Sequence, residues 1–172
     1  TLSDGWPFLY SQTRVGLNGR VFRIYKFRSM VRHAEKYTGA IFSHRGDPRV
    51  TRVGRIMRST AIDEIPQLLS IFRGDMSWVG PRPERPEEAA RNRRVIARYD
   101  LRHTVRPGLT GMAQVHGSNY ADAHEKLRLD LYYVKHRGLL LDLKLYVRSW
   151  ANTVLGKWEA ARARRDGSDA IG

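Results

Sequence analysis

The sequence predicts an α+β fold that is mainly α-helical, with a small N-terminal β-hairpin and amphipathic interfacial helices. Two observations support this prediction. Asn18-Gly19 separates two strand-like runs, and apolar residues recur at helical spacing in the middle and in the last third of the chain. The 172-residue length suits one domain, which we place at residues 1–160, followed by a basic, flexible tail at 161–172.

The first predicted element is the hairpin, with arms at residues 10–15 and 20–27. Both residues of the Asn-Gly dipeptide accept positive φ, which favours a tight turn between the arms. Lys26 and Arg28 lie on the same face at the end of the second arm, because side chains alternate along a strand. A short helix is predicted over residues 29–37, and the stretch 38–51, with its glycines and Asp-Pro dipeptide, predicts a loop.

The next predicted helix begins near Thr60 or Asp63. Pro66 is compatible with it only within the first turn, where a residue has no intrahelical donor to lose. Gly74 predicts its C-terminal end. Its apolar stripe, at i, i+3, i+4 and i+7, consists of Ile65, Leu68, Leu69 and Phe72.

Two stiff loops and three helical stretches are predicted beyond this point. The loops are residues 77–86, which contain three prolines, and residues 106–111. A charged helix is predicted at 87–99, and the C-terminal third is helical with an interruption at Gly138. One face of the last helix carries Leu139, Leu143, Tyr146, Val147, Trp150 and Val154. The sequence leaves two interpretations of this face open, packing on the core or a position in a membrane interface.

The composition indicates an anionic partner. There are 31 Lys and Arg residues against 17 acidic ones, a formal net charge of +14. Residues 14–58 contain 12 of the basic residues and only two acids. Such a charge distribution attracts nucleic acid, an anionic membrane surface or phosphorylated small molecules, although a generally basic soluble protein is the alternative. The absence of cysteine excludes a disulfide scaffold and thiolate metal sites.

Asp63-Glu64 is the adjacent acidic pair that lies in a basic and apolar neighbourhood. A helix N-terminus favours negative charge and can bind phosphate. Arg55 and Arg58 would keep Asp63 ionised, and an ionised aspartate aligned with phosphorus can form an acyl-phosphate. A neighbouring carboxylate could bind Mg²⁺ together with phosphate oxygens. Ordinary helix capping is the alternative, and spacing alone favours it.

Arginines near prolines are the second group of candidates. Arg82 lies between Pro81 and Pro83, which restrict its backbone, and a guanidinium can bind phosphate through two hydrogen bonds. Arg106, before Pro107, presents the same pattern. A loop stiffened only for stability explains both equally well. The six histidines lack zinc-helix spacing, so none is interpreted as a metal ligand.

Taken together, several ordered motifs resemble the bacterial sugar transferase family, the monotopic polyprenyl-phosphate phosphoglycosyl transferases. The resemblance covers about residues 5–155 and favours chemistry over capping at Asp63. The matching stretches are Tyr25-Lys26-Phe27-Arg28-Ser29-Met30, Asp47-Pro48-Arg49-Val50-Thr51, Arg58-Ser59-Thr60-Ala61-Ile62-Asp63-Glu64-Ile65-Pro66-Gln67-Leu68, Gly74-Asp75-Met76-Ser77-Trp78-Val79-Gly80-Pro81-Arg82-Pro83, Val105-Arg106-Pro107-Gly108-Leu109-Thr110-Gly111 and Asp130-Leu131-Tyr132-Tyr133-Val134.

The resemblance implies transfer of a hexose-1-phosphate from a UDP-sugar to undecaprenyl phosphate, with release of UMP, as the priming step of exopolysaccharide, capsule or O-antigen synthesis. It implies that Asp63 is the nucleophile of a covalent phosphosugar intermediate and that Glu64 is the Mg²⁺ ligand or local electrostatic organiser. Arg58 and Arg82 would bind phosphates, with Lys26, Arg28 and Arg106 as further substrate-binding candidates. Such a distribution of cations suits phosphoryl transfer, which depends mainly on positioning and charge neutralisation.

Two departures from the family pattern affect these expectations. Members carry a hydrophobic re-entrant helix before the first motif, so we expect this chain to be a fragment without that helix, from a protein at the cytoplasmic face of the inner membrane. Ser118 stands where many relatives have arginine, which weakens any inference about the sugar. We expect an anionic membrane surface and no nucleic acid among the partners, and leave a homo-oligomer open.

Two further hypotheses are a basic module that binds nucleic acid or anionic lipid, and a homologue that binds UDP-sugar without turnover. A nucleic-acid module would show salt-sensitive binding that is independent of Asp63. The sequence disfavours it, because no nucleic-acid fold signature is present.

Overall fold

A computed structural model describes residues 8–31, 34, 47–116 and 122–154. The strands are β1 (Leu9–Val15), β2 (Val21–Phe27), β3 (Ser77–Val79) and β4 (Gly108–Thr110). The α-helices are α1 (Arg52–Ser59), α2 (Leu68–Phe72), α3 (Pro86–Val95), α4 (Met112–His116), α5 (Ala123–His136) and α6 (Leu139–Val154). Three 3-10 helices cover Leu17–Gly19, Ile62–Gln67 and Tyr99–Thr104. The mainly helical α+β prediction is confirmed, whereas the predicted tail at 161–172 lies outside the described residues.

The predicted hairpin is confirmed. Strands β1 and β2 form a two-stranded sheet, and Asn18 and Gly19 adopt the expected positive φ angles of 52° and 77°. The connection is longer than a two-residue turn, because it contains the 3-10 helix Leu17–Gly19.

The helix predicted over residues 29–37 is wrong in its first three residues. Met30 forms an antiparallel bridge with Val50, and the Val31 amide donates to the Arg49 carbonyl at 2.8 Å. The backbone groups of 29–31 are therefore used in pairing with residues distant in sequence. Except for Ala34, which lies in a turn, residues 32–37 are outside the described residues, as is most of the loop predicted at 38–51.

The single helix predicted from Thr60 or Asp63 is also corrected. The chain forms α1 first, reverses at Ala61, where φ is 57°, and continues as the 3-10 helix Ile62–Gln67. α2 begins only at Leu68, because Pro66 has no N–H to donate within an α-helical ladder. The predicted stop at Gly74 is confirmed: α2 ends at Phe72, and the Gly74 amide donates to the Ile71 carbonyl at 3.0 Å.

Parts of both predicted Pro-rich loops are strands. β3 and β4 pair in parallel, with Ser77 opposite Gly108 and Val79 opposite Thr110. Three residues are too few to show an alternating pattern, and the partner strand lies about thirty residues away in the sequence, so no local signal predicts this pairing.

The helical C-terminal third and its interruption at Gly138 are confirmed by α5 and α6. The charged helix α3 ends at Val95, earlier than predicted. The chain then passes through Arg98, with φ of 59°, into the 3-10 helix Tyr99–Thr104. No helix among the described residues is long and apolar enough to cross a membrane.

The chain forms two compact units. The first comprises the described residues of 1–10, 25–66 and 152–172, and the second those of 11–24 and 67–151. Two clusters form the core of the second unit. One is built by Val15, Ala89, Ile96, Tyr99 and Leu127, and the other by Val79, Val105, Tyr133 and Leu145. The second cluster joins α5 and α6 to β3, where the Tyr133 hydroxyl lies 3.1 Å from the Val79 carbonyl oxygen.

The apolar face predicted for α6 points away from this core. Leu145, on another side of the helix, is 1% exposed. Leu139, Leu143, Tyr146, Val147 and Trp150 are 45–88% exposed. Within the described part of the chain, the core-packing interpretation of this face is therefore wrong.

Candidate active site

In the first unit, Ser29 and Thr51, which belong to two of the family motifs, hold the start of α1 in place. The Thr51 amide donates to the Ser29 carbonyl at 3.1 Å, and the Thr51 hydroxyl caps α1 by accepting from the Gly54 amide at 2.9 Å. A Cβ on Gly54 would lie 1.9 Å from the Ser29 carbonyl oxygen, so only glycine allows this approach. α1 is thereby fixed against the segment that follows β2, and Arg58 lies exposed in its last turn.

Asp47 and Arg49 stabilise the turn that precedes α1. Asp47 is 2% exposed, and its two carboxylate oxygens accept from the Arg49 Nε and Nη2 atoms at 2.9 and 2.7 Å. The Arg49 amide also donates to Asp47 Oδ1 at 3.0 Å. These two motif residues therefore have a structural role in the turn.

The reversal at Ala61 determines where the acidic pair lies. α1 ends at Ser59, and the Glu64 amide donates to the Ala61 carbonyl at 3.1 Å. Asp63 and Glu64 consequently occupy the first turn of the 3-10 helix Ile62–Gln67. Asp63 is buried, with 8% of its surface exposed. A left-handed alanine costs about 1 kcal/mol or more, so the surrounding structure must stabilise this reversal.

The structure brings Lys26 and Glu64 together. The Lys26 Nζ atom lies 2.6 Å from Glu64 Oε1, with side chains 22% and 19% exposed. This pair joins the end of β2 to the acidic pair within the first unit. The other candidate on the same face of that arm, Arg28, is half-buried, and its backbone amide donates to the Phe8 carbonyl at 2.8 Å.

In the second unit, Arg82 and Arg106 are both exposed. The pairing of β3 with β4 determines where the segments that carry them lie. A Cβ on Gly80 would lie 2.4 Å from the Arg106 carbonyl oxygen, so the two segments cross in backbone contact. The Gly108 amide donates to the Pro81 carbonyl at 3.0 Å across the same crossing. The structure thus brings together the backbones that carry these two candidate arginines.

A buried charged network next to the Arg82 loop was not predicted from the sequence. Arg102 is 4% exposed, and its Nη1 and Nη2 atoms lie 2.5 Å from Glu84 Oε1 and 2.7 Å from Asp130 Oδ2. Burial lowers the pKa of Arg102, but Asp130, Glu84 and Tyr99 outweigh burial and raise it above its ordinary value. Burial also raises the pKa of Asp130 to about 6, although Arg102 opposes this shift. The sequence shows only that each of three separate segments contains a charged residue. That signal does not indicate that the three side chains meet.

The residues of the first unit fit the Mg²⁺ ion that the family resemblance implies. Among the described residues, no group of three or more His, Cys, Asp or Glu could bind a metal by itself. Mg²⁺ commonly uses only one or two protein carboxylates and completes its octahedron with water and substrate phosphates. Asp63 and Glu64 supply two adjacent carboxylates, which suits a site completed by a bound diphosphate.

Comparisons with known proteins agree with the motifs. A sequence profile described as bacterial sugar transferase matches residues 1–156. The chain is 44% identical to a UDP-N-acetylgalactosamine-undecaprenyl-phosphate N-acetylgalactosaminephosphotransferase of Aeromonas hydrophila, over 90% of this chain and 37% of that protein. It is 43% identical to a UDP-glucose:undecaprenyl-phosphate glucose-1-phosphate transferase of Caulobacter vibrioides, over 86% of this chain and 57% of that protein. It is 38% identical to an exopolysaccharide production protein of Rhizobium leguminosarum, over 84% of this chain and 76% of that protein.

Proposed function

The chain belongs to the bacterial sugar transferase family, and on this basis we propose that it transfers a hexose-1-phosphate from a UDP-sugar to undecaprenyl phosphate. UMP is the second product, and the lipid-linked diphosphosugar primes polysaccharide synthesis. The observation that supports this most is the buried Asp63 next to Glu64, whose carboxylate is 2.6 Å from Lys26 Nζ. The chain spans 37% of the Aeromonas relative, so the proposal concerns the part that contains these residues.

The first step that we propose is attack by an Asp63 carboxylate oxygen on the β-phosphorus of the UDP-sugar. A bond forms between this oxygen and phosphorus, and the bond from phosphorus to the bridging oxygen breaks. The bridging oxygen leaves with the electron pair on UMP, so that the sugar phosphate remains on Asp63 as an acyl-phosphate. The burial of Asp63 favours this step, because few water molecules can compete as nucleophiles.

In the second step, a phosphate oxygen of undecaprenyl phosphate attacks the phosphorus of the intermediate. The bond between phosphorus and Asp63 breaks, and the carboxylate is regenerated as the diphosphate product forms. Splitting the transfer in this way lets one site serve two large substrates in turn, which predicts ping-pong kinetics.

We assign a role to each of the candidate cations. Lys26 orients Glu64 through their 2.6 Å ion pair, and Arg58, at the exposed end of α1, binds donor phosphate. Arg82 and Arg106, both exposed, are proposed as ligands of substrate phosphate because of the family motifs that contain them, and Arg28 is a further candidate. Glu64 would hold Mg²⁺, which when bound would neutralise negative charge on the diphosphate.

We also propose that α6 rests on the membrane surface, at the cytoplasmic face of the inner membrane. The apolar face of α6, defined above by Leu139, Leu143, Tyr146, Val147 and Trp150, is exposed, and Lys144 and Arg148 are exposed on the same helix. Trp78 extends this surface, because its ring packs edge-to-face on Tyr146 with 5.9 Å between centroids. Exposed aromatic and aliphatic side chains flanked by cations are typical of interfacial helices.

The experiment that tests the proposed function is UMP release by the protein that carries these residues, supplied with undecaprenyl phosphate and a panel of UDP-sugars. We expect Asp63→Asn to abolish turnover, because an amide cannot act as the nucleophile. Glu87→Gln is the matched control, since Glu87-Glu88 is another adjacent acidic pair but is in the first turn of α3 and its first member is exposed. Normal turnover by Asp63→Asn would eliminate the nucleophile assignment. Binding of UDP-sugar without UMP release would favour a non-catalytic homologue.

A further inference from the structure

The loop of residues 81–84 is held in place through its backbone. Each of its four consecutive carbonyl groups accepts a hydrogen bond from another part of the second unit. The Pro81 carbonyl accepts from the Gly108 amide at 3.0 Å, and the Arg82 carbonyl accepts from Arg102 Nη2 at 3.0 Å. The Pro83 carbonyl accepts from Arg14 Nη1 at 3.1 Å, and the Glu84 carbonyl accepts from the Val15 amide at 2.9 Å. Pro81, Pro83 and Glu84 are buried, so their carbonyl groups need partners within the protein. The backbone that carries Arg82 is therefore fixed by four hydrogen bonds.

Arg102 donates through a buried side chain that has acceptors on both sides of its guanidinium. Its Nη1 atom lies 2.5 Å from Glu84 Oε1 and donates to the Tyr99 hydroxyl at 2.8 Å. Its Nη2 atom lies 2.7 Å from Asp130 Oδ2 and donates to the Arg82 carbonyl. The same guanidinium thus contacts the loop at two residues, Arg82 and Glu84, and is anchored to α5.

Stability alone is a weak reason for this arrangement. Burying a charged triad costs desolvation energy, and well-packed apolar residues of similar volume are often as stable or more so. What an apolar cluster cannot do is bind a backbone carbonyl at a fixed position. A guanidinium can, because its five N–H groups project in a rigid plane toward several acceptors at once.

We propose that Arg102 is a positioning residue, which fixes the Arg82 backbone so that the exposed Arg82 side chain meets the phosphate groups of the substrate in one orientation. The proposal rests on the proposed function, because it takes Arg82 to be a phosphate ligand. Arg102 is buried and acts only through the loop. Its effect on turnover should therefore depend on the presence of the Arg82 side chain.

A kinetic double-mutant cycle tests this dependence. The variants are Arg82→Ala, Arg102→Lys and the double variant, and the measurement is kcat/KM for UMP release. Lysine keeps the buried positive charge but cannot span the acceptors on both sides of the guanidinium. We expect Arg82→Ala and Arg102→Lys each to lower kcat/KM by about tenfold or more, and the double variant to be no worse than Arg82→Ala.

Arg93→Lys is the matched control. Arg93 also pairs with a carboxylate, at 2.7 Å from Asp100, but this pair is about half exposed and joins α3 to the 3-10 helix Tyr99–Thr104. We expect its kcat/KM to equal that of the parent protein. If Arg102→Lys does not fold, as judged by circular dichroism, Tyr99→Phe replaces it in the cycle. That change removes the hydroxyl that contacts Arg102 and Glu84 without altering any charge at neutral pH.

The outcomes separate the possible failures. Additive losses in the double variant, or a folded Arg102→Lys or Tyr99→Phe variant with unchanged kcat/KM, would overturn the positioning role while leaving the transferase intact. An Arg82→Ala variant with full activity would remove the premise for both arginines. Turnover that survives Asp63→Asn would instead refute the proposed mechanism itself.

Discussion

The ion pair between Lys26 and Glu64 gives the most quantitative prediction about the first unit. Its atoms are 2.6 Å apart, and the side chains are 22% and 19% exposed. At this distance the Coulomb attraction is about 6 kcal/mol for an effective dielectric constant of about 20. Partial desolvation and the loss of side-chain freedom offset most of it. We expect a net coupling energy of about 1–2 kcal/mol.

A double-mutant cycle on stability measures this coupling. The variants are Lys26→Met, Glu64→Gln and the combination, and the free energy of unfolding is measured by urea denaturation followed by circular dichroism. Each single variant leaves one charge partly buried without its partner. The sum of the two single losses in unfolding free energy should therefore exceed the loss in the double variant. The difference is the coupling energy.

The exposed pair of Arg93 and Asp100 is the control for this cycle. Its N···O distance is 2.7 Å, nearly the same as that between Lys26 and Glu64, but its side chains are 49% and 56% exposed. We expect a coupling energy below about 1 kcal/mol, because water screens exposed pairs. A coupling below about 0.3 kcal/mol for Lys26 and Glu64 would refute the claim that this pair orients the carboxylate.

Four further predictions follow from other features. Ala61→Gly should raise the stability by about 0.5–1 kcal/mol in thermal unfolding, because φ is 57° there, and a lower Tm would contradict the strain. Gly80→Ala should lower the free energy of unfolding by about 2 kcal/mol or more, since its Cβ would lie 2.4 Å from a backbone oxygen, whereas Gly138→Ala, with nothing within 4 Å, should cost little. The pKa of Asp130 is about 6 in the folded protein, above its ordinary value of 3.8. Its contribution to the free energy of unfolding is therefore fully present below pH 3.8 and is lost as the pH rises through 6. The stability of the parent protein relative to Asp130→Asn should fall over that window, and a constant difference would argue against the shift. Leu143→Ser should weaken sedimentation with anionic lipid vesicles by about tenfold without changing Tm, and unchanged sedimentation would exclude this face as the contact.

The features that the sequence predicted correctly depend on local signals. The hairpin follows from Asn18-Gly19, whose positive φ angles are a property of the dipeptide itself. The end of α2 follows from Gly74, and the break between α5 and α6 from Gly138. The apolar face of α6 was also predicted, although only the structure shows that it is exposed.

The features that the sequence did not predict depend on contacts between distant segments. α1 was missed although Val53, Ile56 and Met57 fall at i, i+3 and i+4, and its position depends on the packing of Gly54 on Ser29. β3 and β4 are three residues each and pair across a long separation. Lys26 and Glu64 are 38 residues apart, and neither side chain alone indicates the other. Periodicity does not register any of these contacts.

The candidate site shows the same division. Asp63 and Glu64 were identified from their motif, but spacing alone favoured an ordinary helix cap. Arg102 was missed, because an arginine in a basic chain is usually a solvated surface residue. Its importance becomes visible only when Glu84 and Asp130 are found on either side of it.

The central claim is that Asp63 becomes covalently bound to the sugar phosphate, and single-turnover UMP release without acceptor tests it most directly. Protein mixed with its UDP-sugar, in the absence of undecaprenyl phosphate, should release a burst of about one UMP per active site. It should also retain the sugar phosphate as a hydroxylamine-sensitive label on Asp63, and Asp63→Asn should show neither. Release of UMP only after undecaprenyl phosphate is added, with no labelled protein beforehand, would contradict the two-step account.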